Sequence, residues 1–84
     1  LLPIRPNPFR DRAIIPYELS ERTHVRLEIL NLHGQVVKKL VDRVRQAGVY
    51  TLEFDGSELP AGVYFCRMQT EDGYVKTRRM VVVE

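Results

Sequence analysis

The sequence predicts an all-β fold: an immunoglobulin-like β-sandwich of six to seven short antiparallel strands. Three observations predict it. Apolar and polar residues alternate in short runs, as in Ile15, Tyr17 and Leu19, or Val25, Leu27 and Ile29. Period two places one set of side chains on one face of a pleated strand. Gly, Pro, Asn and Asp punctuate these runs about every eight to twelve residues, the spacing of strands in a sandwich. The third observation is length, since 84 residues supply one small core and no second domain.

The elements follow in order. Proline clusters at the start, at Pro3, Pro6, Pro8 and Pro16. Pro6-Asn7-Pro8 has little freedom beyond an extended or turned path, and Phe9 is the expected anchor that tucks this lead-in onto the domain. Residues 1–12 are therefore read as an extended lead-in and residues 13–84 as the domain. A first strand is expected over residues 13–19, with Pro16 marking an edge or a broken ladder because it lacks an N–H. The segment 20–23 turns the chain, and residues 24–32 form a second strand with Arg26 and Glu28 on the face opposite Val25, Leu27 and Ile29. Asn31-Leu32-His33-Gly34 makes the next turn, where Gly34 can take positive φ.

Residues 35–45 admit two readings. Val36, Val37, Leu40, Val41 and Val44 recur at helical spacing, and Gly48 could stop a helix. Four valines in ten residues, and a preceding strand in need of a hairpin partner, favour a strand over residues 35–41 followed by a loop. Gly48 then opens a strand in which Tyr50, Leu52 and Phe54 alternate with Thr51 and Glu53. Asp55-Gly56-Ser57 and Pro60-Ala61-Gly62 bracket a compact turn region. Residues 63–69 form a strand with Tyr64, Cys66 and Met68 on its core side. Glu71-Asp72-Gly73 turns the chain into a closing strand over residues 74–83.

Composition narrows the function. The chain is 44% hydrophobic and 29% charged, which is globular rather than disordered. Thirteen basic against eleven acidic residues leave a net charge of +2, too balanced and too scattered for a nucleic-acid surface. No apolar run approaches the ~20 residues that span a bilayer. The single Cys66 excludes an internal disulfide and is expected to be a small buried hydrophobe. Because the chain starts on Leu1, we expect a processed or excised piece of a longer protein.

Catalytic and metal chemistry find no players. His24 and His33 have no Cys or carboxylate at zinc-like spacing, and surface histidines are expected. The five glycines sit singly in turns, so no phosphate loop exists. Ser20 and Ser57 belong to turns, without a Gly-x-Ser-x-Gly elbow. Asp55-Gly56 and Asp72-Gly73 are turn dipeptides rather than a calcium run, and Asp42 stands alone. No cofactor is expected, and the chain is read as a non-enzyme. Sandwiches often bind sugars on aromatic faces, but Trp is absent and the four tyrosines mostly alternate inward.

Several segments in order carry a resemblance. They are Pro6-Asn7-Pro8-Phe9, Ile15-Pro16-Tyr17-Glu18-Leu19, the run from Val25 through Asn31-Leu32-His33-Gly34 to Val37, Asp55-Gly56-Ser57-Glu58-Leu59-Pro60-Ala61-Gly62-Val63-Tyr64-Phe65, and Lys76-Thr77-Arg78-Arg79-Met80-Val81-Val82-Val83. Together they resemble the type A C-terminal sorting domain of the bacterial type IX secretion system. They are equally similar to the related immunoglobulin-like domain of a flagellar hook-capping protein. His33 departs from the usual Leu, Cys66 from an aromatic or aliphatic residue, and Arg78-Arg79 from a frequent Lys. Arg keeps the charge but alters the hydrogen-bond geometry.

The resemblance implies an address label covalently preceded by a cargo domain, read by an outer-membrane translocon and commonly cut off by a surface sortase. It implies passage through the periplasm to the cell surface or beyond, in a Gram-negative bacterium. The family's recognition features fall on Leu59, Pro60, Ala61, Gly62, Val63 and Tyr64, on the basic Lys76, Arg78 and Arg79, and on Met80, Val81, Val82 and Val83. A terminal edge strand would offer unpaired backbone groups for strand addition, with basic side chains setting specificity. The alternative reading is a structural or carbohydrate-binding immunoglobulin-like accessory module of a multidomain extracellular protein.

Overall fold

Period-two alternation folds into six strands in the computed structural model, which describes all of residues 1–84. They are β1 (Arg12–Leu19), β2 (Thr23–Leu30), β3 (Val36–Arg45), β4 (Gly48–Asp55), β5 (Gly62–Thr70) and β6 (Val75–Val82), with one 3-10 turn at Gly56–Glu58. All strand pairings are antiparallel. β1 and β4 make a two-stranded sheet, and the other four strands make a second sheet in the order β3-β2-β5-β6. The inward sets of the two sheets meet in a single core. Ile15, Val25, Leu27, Ile29, Cys66 and Met80 retain no solvent exposure. Burying a Leu or Ile side chain of this kind contributes about 1.5–3 kcal/mol.

Val36–Arg45 is strand throughout, so the helical alternative falls and the expected loop after residue 41 is corrected. The first half of β2 needs a partner, and Thr23, Val25 and Leu27 find Arg45, Arg43 and Val41. The helical spacing has a physical origin. Leu27 opposes Val41 while Glu28 opposes Lys39, which leaves Leu40 as an extra residue. Ile29 opposes Lys38 while Leu30 opposes Val36, which leaves Val37 as another. Each bulge breaks the alternation, and two bulges turn a period-two pattern into one that mimics 3.6.

Asn31 explains why β2 ends at Leu30. Its Oδ1 accepts from the backbone N–H groups of His33 and Gln35 at 2.9 and 3.0 Å. The side chain thereby stands in for a turn's own backbone acceptor. Gly34 completes the turn at φ +79°, a conformation that a side chain disfavours.

Glu28 departs from expectation. It lies on the outer face of the four-stranded sheet but is only 6% exposed. The guanidinium of Arg67, a cross-strand neighbour, donates to its Oε1 at 3.1 Å and covers it. Alternation assigned the face correctly; burial came from the long side chain laid across it.

The N-terminal residues 1–9 form a strap across the remaining side of the sandwich. Leu1, Ile4 and Phe9 are buried. Leu2 N–H donates to Pro16 O, and Arg5 exchanges both backbone hydrogen bonds with Ile14. The N–H groups at positions 14 and 16 point to the same edge, so the donor that Pro16 lacks would face the strap and not β4. The β1–β4 ladder is therefore unbroken from Arg12 to Leu19.

Candidate functional site

The β5–β6 hairpin brings together the two segments that the sequence singles out. Gly62 opposes Val82, Val63 opposes Val81 and Tyr64 opposes Met80. Leu59 enters this corner half-buried against the core, and its N–H donates to Gly56 O at 3.1 Å. The Tyr64 hydroxyl donates to Pro60 O at 2.7 Å, which pins the Pro60-Ala61-Gly62 turn to the strand that follows it. Pro60 and Ala61 are exposed, while Val63 and Val81 sit half-buried side by side on the outer face.

The closing strand divides by parity. Met80 and Val82 point inward, 0% and 4% exposed, and their side chains belong to the core. Arg78 and Lys76 follow on the same inner side, opposite Cys66 and Met68. Arg79 and Val81 lie on the outer side, opposite Phe65 and Val63. The neighbouring arginines thus serve opposite faces, as any adjacent pair in a strand must. Lys76 stands six residues before Val82, or about 20 Å along the strand, so it does not join the Leu59–Tyr64 corner. Arg78 is already engaged: its Nε and Nη2 donate to Leu1 O at 3.2 and 3.1 Å. Arg79 and Lys76 are exposed and have no carboxylate within ion-pair distance. Val83 lies just past the strand at the surface.

Sequence reasoning missed Asn7. Its Nδ2 donates to Arg79 O at 2.8 Å and its Oδ1 accepts from Val81 N–H at 3.0 Å. Two residues along, Phe9 N–H donates to Val81 O at 2.9 Å and Val83 N–H donates to Phe9 O at 2.8 Å. The strap therefore occupies the edge of β6 from Arg79 to Val83. Pro6 and Pro8 have no N–H to offer, and the Asn7 amide between them supplies the donor and acceptor of a missing peptide group. The signal was present as a lone amide flanked by two prolines, but its partner lies more than seventy residues away.

Phe9 is held from the other side by Gly56. A Cβ there would approach Phe9 Cε2 to 2.5 Å, so only glycine leaves room for the ring. The ring also meets Phe54 edge-on, with centroids 6.1 Å apart. Asp55-Gly56 thus does more than turn the chain: Asp55 caps the 3-10 turn through Ser57 N–H, and Gly56 seats the strap.

Other groups have local roles. Burial pushes the Cys66 thiol up to about 12, which removes the thiolate at neutral pH and leaves a small apolar side chain. His24 Nε2 lies 2.5 Å from Asp42 Oδ1, while His33 is exposed in its turn. Tyr17 is buried and stacks on Tyr50, whose ring lies under the Arg45 guanidinium at 4.8 Å. With Tyr64 also buried, Tyr74 at 45% is the one well-exposed aromatic ring.

Comparison with known proteins gives a family for the chain. The family described as the secretion system C-terminal sorting domain matches residues 3–83. No curated protein and no solved structure matches the chain significantly. The match runs from the strap through the β5–β6 hairpin, the two parts that meet along the last strand. The chain belongs to the type IX secretion C-terminal sorting domain family.

Proposed function

We propose that this domain is the non-catalytic address of an exported cargo protein, read by the outer-membrane translocon, with the cargo then released or attached at the cell surface by a sortase. The family match over residues 3–83 carries this reading. The juxtaposition of Leu59, Pro60, Ala61, Gly62, Val63 and Tyr64 with Met80, Val81, Val82 and Val83 supports it, because one partner surface can cover both segments. Met80 and Val82 contribute by holding β6 in place from the core. The groups available for contact are Pro60, Ala61, Val63, Lys76, Arg79, Val81 and Val83.

The test is delivery of a reporter. A periplasmic reporter fused ahead of residues 1–84 should reach the surface in a host with this secretion system and stay periplasmic in a translocon-deficient strain. Equal surface display in both strains would overturn the reading. Cutting off residues 80–84 is a poor probe, because it removes two core side chains along with the terminus. Serine at the half-buried Val81 together with serine at the exposed Val83 perturbs the outer face and leaves Met80 and Val82 in place.

A further inference from the structure

The edge of β6 has two halves. From Arg79 to Val83 it is occupied by Asn7 and Phe9. Val81 N–H, Val83 N–H and Arg79 O all point outward to the strap, so odd-numbered residues turn their backbone groups to that edge. By the same parity Thr77 N–H and C=O and Arg79 N–H also face outward, where the strap does not reach. Residues 75–79 are thus an open strand edge in continuity with a covered one.

We propose that this open half-edge is the docking site for an extended segment of the secretion partner, added as a fifth strand, with carboxylate side chains on the outer face and apolar ones on the inner face. The inference rests on the sorting role and specifies how β6 is read. Charge selects the occupant. Arg79 projects on the outer face without an acidic neighbour in reach, and an added strand would place its outer side chains beside it. The inner side chains would lie over a cleft of about 560 Å³ whose exposed apolar groups are Leu2 and Tyr74. The charged groups lining that cleft are of both signs, Glu18, Glu21 and Asp72 with Lys76 and Arg78, so they select no charge there and the apolar preference rests on Leu2 and Tyr74. A second copy of this edge is a poor occupant, since it would set arginine and lysine against their own kind.

The test again uses the reporter fusion. Thr77→Pro deletes one outward donor on an edge strand, while Thr77→Val keeps it. Delivery should fall about tenfold or more for Thr77→Pro and stay near normal for Thr77→Val, a contrast expected when backbone pairing supplies the affinity. Arg79→Glu should lose delivery comparably and Arg79→Lys should retain most of it. Melting of the purified domains, expected within about 5 °C of the parent for the Arg79 variants, separates docking from folding. If Thr77→Pro fails to fold, the Arg79 pair decides. Folded variants delivered as well as the parent would overturn the edge assignment while leaving the sorting role intact. Failure of the unmodified fusion would overturn the sorting role and this inference with it.

Discussion

The two lateral sides of this sandwich solve the problem of exposed strand edges in different ways. On the side of β3 and β4 nothing is laid over the edges. β3 carries two bulges, at Val37 and Leu40, and a run of charged residues that includes Lys38, Lys39, Asp42 and Arg43. Bulges and charges make an edge a poor template for another strand. On the side of β1 and β6 the edges are regular, and the strap covers them in part instead. A distorted edge is permanently closed, whereas a regular edge under a separate segment can be opened or partly left open. β4 also keeps a regular register without a cover, so what distinguishes β6 is that a strap covers one half of its edge and stops short of residues 75–79.

The comparison breaks most decisively at the strap's anchor. Phe9→Ala should cost about 3–5 kcal/mol, the usual range for losing a buried phenylalanine. For a domain of this size that lowers the melting temperature by more than about 10 °C. Gly56→Ala should cost about 1–3 kcal/mol by driving a methyl into the Phe9 ring. It should become nearly harmless in the Phe9→Ala background, a coupling that a double-mutant cycle would read directly. Additive losses would mean that Gly56 matters for a reason other than the ring.

A smaller effect sharpens the same contrast. Asn7→Ala removes two hydrogen bonds at an exposed site and should cost about 1–2 kcal/mol. Amide exchange should accelerate at Val81 and Val83 and stay unchanged in β3. Asn7→Asp should not rescue the alanine phenotype fully, because a carboxylate accepts from Val81 N–H but opposes Arg79 O. Uniform acceleration across both sheets would show that the strap supports the whole sandwich rather than one edge.

Two further changes probe the opposite side. Lys39→Val should shift stability by less than about 0.5 kcal/mol, as surface substitutions do. It should nevertheless promote self-association at high protein concentration, visible by sedimentation, because it removes a charge from an uncovered edge. The least effect concerns Asp42 on the same strand. The hydrogen bond from His24 holds its carboxyl below the ordinary value of 3.8. A depressed folded value means stability present above 3.8 and lost as pH falls through the folded value. An NMR titration of Asp42 should show that depression in the parent and its relief in His24→Ala.

Much of this structure could be read directly from residue order. Strands β1, β2, β4 and β5 emerged where alternation was uninterrupted, since side-chain period is a property of neighbouring residues. Gly34 and the Asn31 turn were equally legible, because their chemistry closes within four residues. β3 was only partly legible: the bulges at Val37 and Leu40 exist to keep register with β2, and register is a relation between two strands. The inward place of Cys66 followed from alternation, but the burial of Glu28 depended on where Arg67 laid its side chain.

The closing strand divides along the same line. Sequence alone determined that Arg78 and Arg79 lie on opposite faces, that Met80 and Val82 share one face, and that the ordered motifs place the chain among sorting domains. Tertiary structure decided which stretch of β6 is covered and which is open. That depends on a hydrogen-bonding amide at residue 7 reaching a strand that begins at residue 75. Local spacing carries side-chain direction but no information about which distant segment will meet a free backbone edge. The fold supplies that partner, and with it the distinction between a masked half-strand and an exposed one.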